Sequence, residues 1–231
     1  MNEHTSKKFD AELEGIRTRV LQMGGMVELQ IVKAMEGLSD GDLLLIDQVI
    51  ENDNRVNHLE IELDEACNQV IAKRQPTAVD LRMISTVQKT ITDLERIGDE
   101  AKKIAKTAKQ LHTTGSNFTP QIRLAHIATA VVDMLRTSLD AYARLDTISA
   151  AQVVRQDKEV DAEFKGIMRQ LITYMMEDPR TISQSIELMF VAKSVERIGD
   201  HAKNIAEFTI YIVKGEDVRH TPLAQIESVV R

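Results

Sequence analysis

The 231-residue chain is poor in the residues that build disulfide frameworks, β-rich folds and membrane spans. It has one cysteine, Cys67, which excludes an intramolecular disulfide and a cysteine-based metal site and suits a reducing cytosol. Aromatic residues make up 3%, and the four prolines and ten glycines leave few turns for an all-β fold. No run approaches the roughly 18 apolar residues of a membrane span, and residues 1–10 lack an apolar signal core. We therefore expect a soluble, cytoplasmic protein.

Positive charge is also in deficit. The chain has 29 Lys and Arg against 36 Asp and Glu, a net charge of −7, which makes a nucleic-acid backbone an improbable partner. What the chain does contain is aliphatic: 43% of its residues are hydrophobic, mostly Ala, Leu, Ile, Val and Met. Such residues pack well between helices, so the composition predicts an all-α fold with a substantial core.

One acidic segment occurs twice. Residues 95–105 read Glu-Arg-Ile-Gly-Asp-Glu-Ala-Lys-Lys-Ile-Ala, and residues 196–206 match them at nine of eleven positions, 101 residues later. Pro76 and Pro179 also hold corresponding places, 103 residues apart. The duplication predicts that the chain is two copies of one structural unit.

Apolar residues recur every three or four positions and predict six long helices. Their approximate ranges are 9–38, 43–73, 78–111, 122–148, 150–177 and 181–213. We read them as two tandem three-helix bundles, residues 1–115 and 116–214, separated by a linker signal at 113–120 and followed by a tail, 215–231, that is frayed or a short helix. Gly24 and Gly25 are expected either to kink the first helix or to let a neighbour approach closely.

Each copy of the repeated segment places two carboxylates four residues apart, Glu95 with Asp99 and Glu196 with Asp200. Residues i and i+4 share a helix face, so these like charges destabilise the helix unless a cation compensates them. A hard cation that takes oxygen ligands would do so. The spacing alone is weak evidence in so acidic a chain, and the duplicated context carries the interpretation.

The second helix of each predicted bundle offers further oxygen atoms. Asp157 and Asp161 repeat the i,i+4 spacing, and the positions 104 residues earlier are Asp53 and Asn57. If the second and third helices pack side by side, each unit presents four oxygen-bearing side chains to one ion or cluster. The candidate metal ligands are therefore Glu95, Asp99, Glu196, Asp200, Asp157, Asp161 and, less strongly, Asp53.

Ordinary structural roles compete with this interpretation. The carboxylates can form surface ion pairs, Asp99 with Lys103, Asp161 with Lys165 and Glu196 with Lys193. The motif glycines Gly98 and Gly199 can serve close helix packing, leave space beside the carboxylates, or both. The acidic pairs Glu36/Asp40 and Glu60/Asp64 have no counterpart in the other half, so we interpret them as solvated faces. His201 follows Asp200 directly and points about 100° away round the helix, so it is not expected to be a ligand.

Two tandem three-helix units, each with Glu-Arg-Ile-Gly-Asp-x-Ala on the third helix and an acidic pair on the second, resemble the PhoU family of phosphate-transport regulators. The resemblance extends to about Val213. It implies a cytoplasmic, non-enzymatic, negative regulator of phosphate uptake and of the phosphate-starvation (Pho) regulon. It also implies an adaptor between the ATPase subunit of the phosphate ABC transporter and a sensor histidine kinase, reaching the membrane only through these partners.

The same resemblance implies a homodimer or larger oligomer and a multinuclear cluster of iron or zinc held by the paired acidic motifs. Asn57 departs from the acidic pattern, which places the first unit's metal site in more doubt than the second's. Two other classes stay open on the residues alone: a carboxylate-bridged metalloenzyme, such as an oxidase or phosphoesterase, and a metal-independent helical scaffold. The lack of Glu-x-x-His pairs, of a Walker loop and of any nucleophile motif argues against the enzyme.

Overall fold

The structure, a computed structural model, describes residues 7–113 and 124–230, and over these ranges it is helical without any β-strand. The helices are α1 Lys7–Asp40, α2 Leu43–Arg74, α3 Ala78–Thr113, α4 Leu124–Arg144, α5 Thr147–Glu177, α6 Ile182–Lys214 and α7 Leu223–Val230. A 3₁₀ turn, Pro179–Thr181, joins α5 to α6. The all-α prediction is confirmed. The linker signal beyond Thr113 and the predicted start of the fourth helix at Ile122 lie outside the described residues.

Each half of the chain packs its three long helices against one another, α1 with α2 and α3, and α4 with α5 and α6. The predicted stripes form the core, and Met23, Leu94 and Val195 are fully buried within it. The halves join because α3 packs on α6 and α1 packs on α4. Two tandem three-helix bundles are therefore what the structure contains.

Two of the turns between helices end in an aspartate that caps the next helix. Asp42 caps α2, because its carboxylate accepts the backbone N–H groups of Leu44 and Leu45. Asp146 caps α5 in the same way, two residues after α4 ends at Arg144. The prediction of a fourth helix reaching residue 148 was therefore wrong. Leu145 makes this turn at φ 55°. This is a left-handed conformation, which Gly or Asn usually adopts.

Gly24 brings two helices together rather than interrupting one. Helix α1 continues unbroken through Gly24 and Gly25. A Cβ atom on Gly24 would lie 2.5 Å from Leu139 Cδ1 of α4, closer than real Cβ contacts allow. Of the two roles expected for the glycine pair, the structure assigns Gly24 the close approach that joins the bundles.

The tail forms the short appended helix that was one of its two expected forms. Helix α7 packs on α5 and buries Ile226, and Glu227 pairs with Arg155. The tail therefore covers part of the second bundle. None of the described helices combines the length and hydropathy needed to cross a bilayer.

Candidate functional site

In the first unit, the side-by-side packing of α2 and α3 brings the predicted carboxylates together. Burial raises the pKa of Glu95, and the negative charges of Asp99, Glu60 and Asp53 raise it further, against a smaller opposing effect of Arg96. The carboxylates of Asp99, Glu60 and Asp53 therefore lie close enough to Glu95 to disfavour its charged form. Glu60, interpreted above as part of a solvated face, belongs to this cluster as well.

The second unit repeats the arrangement between α5 and α6. Burial raises the pKa of Asp200, and the carboxylates of Glu196, Asp157 and Asp161 add to the effect, which Lys203 partly offsets. Asp157 is buried, while Asp200 and Asp161 are half-buried. The predicted acidic residues thus form two clusters, one in each unit.

Each cluster also contains a lysine that sequence reasoning did not single out. Lys102 Nζ donates to Asp53 Oδ2 at 2.6 Å, and Lys203 Nζ donates to Asp157 Oδ2 at 2.6 Å and lies 4.0 Å from Asp200 Oδ1. The signal was present, because both copies of the motif keep Lys three residues after the Asp. Its meaning depends on the packing of a separate helix, which the motif does not encode.

The first unit holds several buried oxygen atoms without a partner. Asp53 is fully buried, and its Oδ1 has no hydrogen bond, nor does Oδ1 of Asn57 or either amide atom of Gln30. A Cβ on Gly98 would lie 3.3 Å from Gln30 Oε1 and 3.6 Å from Asp53 Oδ1. The glycine therefore adjoins a polar space with unused acceptors, which is chemistry that fits a cation.

The corresponding space in the second unit is apolar. A Cβ on Gly199 would meet Val131 Cγ2 at 3.4 Å, Val160 Cγ1 at 3.6 Å and Met134 Cε at 3.8 Å. Met134 follows Gln30 by 104 residues, the same offset that relates Asp157 to Asp53. Gly199 therefore serves close packing, whereas Gly98 combines packing with access to polar atoms.

The carboxylates of each cluster lie near one another but do not form a complete set of metal ligands. Within residues 7–113 and 124–230, no three Asp, Glu, His or Cys side chains are placed to share one metal ion. The assignment of Glu95, Asp99, Glu196, Asp200, Asp157, Asp161 and Asp53 as metal ligands stays a prediction. Oxygen donors and the orphaned acceptor of Asp53 are compatible with it.

The competing surface ion pairs are realised only in part. Lys193 Nζ lies 2.5 Å from Glu196 Oε2, as that alternative requires. Lys103, however, donates to Glu100 at 2.8 Å, so the pairing proposed for it with Asp99 is not what it forms. The acidic clusters are therefore neutralised partly by Lys193 and partly by the two lysines that were not predicted.

The positions at which the two motif copies differ face the contact between the units. His201 Nδ1 lies 2.6 Å from Asp93 Oδ1, and Asn204 donates to the same oxygen at 3.2 Å. Across the same contact, Arg197 donates to the buried Glu100 at 3.4 Å. Helices α3 and α6 are antiparallel here, since higher numbers on one meet lower numbers on the other. His201 is therefore an interface residue and points away from the acidic cluster, as predicted.

Comparison with known proteins covers both units. A family model described as "PhoU domain" matches residues 20–108 and again 124–209. The chain is 46% identical over 230 residues to "Phosphate-specific transport system accessory protein PhoU homolog" of Pseudomonas aeruginosa, covering 100% of this chain and 95% of that protein. It is 49% identical over 221 residues to "Phosphate-specific transport system accessory protein PhoU" of Escherichia coli, covering 95% and 91% respectively.

Solved structures give the same result in three dimensions. The fold is similar to the crystal structure of PhoU from Pseudomonas aeruginosa, with a TM-score of 0.87 at 47% identity, covering 90% of this chain and 100% of that one. It is also similar to the crystal structure of "the phosphate transport system regulatory protein PhoU" from Streptococcus pneumoniae, with a TM-score of 0.85 at 26% identity, covering 91% and 99%.

Proposed function

Because this chain belongs to the PhoU family, we propose that it regulates phosphate transport as an accessory protein of a phosphate-specific transport system. It acts as a negative regulator of phosphate uptake and of the phosphate-starvation regulon. It does so as a cytoplasmic adaptor between the ATPase subunit of the phosphate ABC transporter and a sensor histidine kinase. The family match over both units carries the proposal, together with near-complete coverage of relatives whose names describe accessory and regulatory proteins.

The family is regulatory and not enzymatic, so the non-enzymatic prediction is confirmed and the metalloenzyme alternative is wrong. The doubled architecture supports an adaptor, because it supplies two related surfaces on one rigid frame. Homodimerisation is part of the proposal, and light scattering of the purified protein at several concentrations tests it.

The two related surfaces differ in a way that favours two different protein partners. At the α5–α6 hairpin the second unit exposes a row of large apolar side chains, namely Ile172, Met176, Ile182, Ile186 and Phe190. The same offsets in the first unit give mostly small or polar residues, namely Asn68, Ala72, Leu81, Ser85 and Lys89. Exposed apolar patches of this kind are typical of protein-binding surfaces.

The regulatory role is tested by deleting the gene and measuring a phosphate-starvation reporter in high phosphate. A negative regulator predicts that the deletion strain expresses the reporter at the starved level and that the intact gene restores repression. A reporter that stays repressed in the deletion strain contradicts the proposed role.

The acidic clusters form the second part of the proposal, that each unit binds metal through its carboxylates. Iron and zinc are the metals that the family resemblance implies. A bound cation would supply positive charge beside Glu95 in the first unit and Asp200 in the second, whose pKa values are raised by burial and by neighbouring carboxylates. Cross-linking α2 to α3, and α5 to α6, in this way would stiffen each bundle.

Metal analysis of gently purified protein tests this part. The wild-type chain is expected to carry metal that the combined Asp99→Ala and Asp200→Ala variant loses while keeping its helix content. Equal metal in the two proteins would place the ion elsewhere. A metal-independent scaffold predicts instead that neither protein holds metal and that the variant still regulates.

A further inference from the structure

A lysine from the third helix of each bundle binds the buried aspartate of the second helix. The Nζ–Oδ2 distance is 2.6 Å for Lys102 with Asp53 and 2.6 Å for Lys203 with Asp157. The two lysines are equivalent in the repeat, 101 residues apart, and each follows the motif aspartate by three positions. Because the same contact occurs in both units, we infer that it is part of the repeated structure.

The helix places the lysine of each pair on the face that carries the motif aspartate. Residues three apart share a helix face, so Lys102 rises from the same face as Asp99 and reaches across to Asp53. Its ammonium donates to Asp53 Oδ2 at 2.6 Å. The ammonium therefore lies within reach of the negative potential of the whole cluster.

Lys203 is held in the same manner, because its Nζ donates to Asp157 Oδ2 at 2.6 Å and lies 4.0 Å from Asp200 Oδ1. A fully or nearly buried carboxylate without such a partner would be strongly unfavourable. The lysine thus satisfies an electrostatic requirement that would otherwise call for a bound cation.

We propose that Lys102 and Lys203 are resident counter-ions of the two acidic clusters, and that a divalent metal ion binds there only by displacing them. The competition with metal rests on the proposed function, in which these clusters capture metal. The counter-ion role rests on the two lysine contacts themselves.

Displacement follows from geometry and charge. A metal ion that takes Oδ2 of Asp53 or Asp157 as a ligand would require the space in which the ammonium stands, because an oxygen ligand lies roughly 2.0–2.6 Å from a hard divalent ion. A cation and an ammonium sharing one carboxylate would also repel each other. The lysine has a way out, because the side chains of Lys102 and Lys203 are 24% and 27% exposed and their stems are flexible. Metal entry would therefore move one positive charge from each cluster to the protein surface.

The test compares lysine variants with matched controls on the same pairs of helices. Lys102→Met and Lys203→Met, singly and together, remove the ammonium while keeping an unbranched side chain. Lys106→Met on α3 and Lys158→Met on α5 remove an exposed lysine near the same clusters and leave the contacts intact. Lys102→Gln and Lys203→Gln provide a second, polar substitution if a Met variant folds poorly.

Mn²⁺ is the probe, titrated calorimetrically into metal-free protein of each variant. Breaking a charge-assisted hydrogen bond opposes binding by roughly ten- to a hundredfold in affinity, so the lysine variants are expected to bind Mn²⁺ tighter than the controls by about that factor. Metal-free Lys variants should also melt at a lower temperature than the controls and regain the difference on adding Mn²⁺.

The outcomes separate this inference from the metal site itself. If the wild type and controls bind Mn²⁺ and the lysine variants bind it no tighter, displacement is overturned and the proposed metal site stands. If only the lysine variants bind, the inference is supported and the native protein is held by its lysines without metal. If no variant binds Mn²⁺, the competition is overturned, and the metal analysis of the purified protein decides whether the clusters capture iron or zinc.

A chemical readout checks displacement in the wild-type protein. Acetylation of each lysine by an activated ester, followed by peptide mass spectrometry, reports on how free each amine is. Lys102 and Lys203 are expected to react faster when Mn²⁺ is present, with Lys106 and Lys158 unchanged. Equal reactivity with and without saturating Mn²⁺ would contradict displacement.

Discussion

The two bundles share a frame and differ in how they fill the space beside the motif glycine. Gly98 faces the amide of Gln30 and the carboxylate of Asp53, whereas Gly199 faces Met134 and two valines. The frame is set by apolar periodicity and the placement of helices, both of which survive duplication. What lies in the space has diverged, so the first unit is the more polar site and the second the better packed one.

The shared part of the comparison is the acidic cluster with its lysine. Each unit buries one aspartate of its second helix and meets it with the lysine three residues after the motif aspartate. The positions that vary between motif copies instead make the contact between the units, where His201 and Asn204 bind Asp93. The motif positions that belong to the cluster are therefore identical in the two copies. His201 and Asn204, which differ from their counterparts, lie at the contact between the units.

The largest expected difference concerns packing beside the two glycines. Met134 is 1% exposed, and Met134→Ala should lower the free energy of unfolding by about 2–4 kcal/mol through the cavity it leaves. Gln30→Ala should cost roughly 1 kcal/mol or less, because no protein hydrogen bond is lost with its amide. Urea unfolding of both variants measures the contrast, and equal losses would show that the two spaces are filled alike.

A pH dependence of stability is expected at Glu207 of the second unit. Burial raises the pKa of Glu207 from 4.5 to about 7, with Asp157 and Asp217 adding to the shift and Lys203 and Arg219 opposing it. The position 101 residues earlier holds Lys106, which is exposed. No comparable carboxylate therefore stands at this place in the first unit.

The direction of this pH dependence follows from the order in which the unfolded and the folded chain lose the proton of Glu207. Between pH 4.5 and about 7 the unfolded chain has already ionised Glu207 while the folded chain still holds the proton. Stability from this group is therefore complete at low pH and is lost as pH rises towards 7, by up to about 3 kcal/mol. Glu207→Gln should be more stable than wild type at pH 8 and similar at pH 5 by urea unfolding. A variant that differs from wild type equally at both pH values would contradict the assignment.

A smaller effect is expected from making the first unit resemble the second. Gln30→Met replaces a buried amide that has no hydrogen-bond partner by the residue found opposite Gly199, and should stabilise the metal-free protein by about 1 kcal/mol. Thermal unfolding in the presence of a chelator measures it. Met134→Leu serves as a control for volume alone. A loss of stability in Gln30→Met would mean that the amide is bonded to water or an ion in solution.

The smallest stability change is expected on the surface. Phe190 is 62% exposed, so Phe190→Lys, which copies Lys89 of the first unit, should change the unfolding free energy by less than about 0.5 kcal/mol. If this surface binds a partner, the variant should nevertheless weaken repression of the starvation reporter. Leu44→Lys, at an exposed apolar position of the first unit, is the matched control. Full repression by Phe190→Lys would remove this row from the docking surfaces.

The sequence was sufficient for the helical frame, but it missed Glu60 and the lysines beside the acidic residues. Apolar periodicity, Pro76, Pro179 and the Asp42 cap set the helices, because these signals act through local backbone preferences. The α4–α5 turn was misplaced because Leu145 adopts a left-handed conformation without glycine.

Lys102, Lys203 and Gln30 were missed for a different reason. Each becomes significant only through a residue on another helix, at a distance that no spacing rule specifies. Repetition of the lysine in both motif copies was the available signal, and Gln30 interrupts an apolar stripe between Val27 and Ile31. Polar residues in a buried stripe and cations kept in both copies of a repeat are therefore worth testing as parts of a site.

The most direct test of the account asks whether the paired acidic clusters are needed for regulation. A strain lacking the gene is complemented either with the wild-type chain or with the Asp99→Ala plus Asp200→Ala variant, at matched protein levels, and the starvation reporter is measured in high phosphate. The account predicts repression by the wild type and starved-level expression with the variant. Full repression by a variant that has lost both motif aspartates would contradict it.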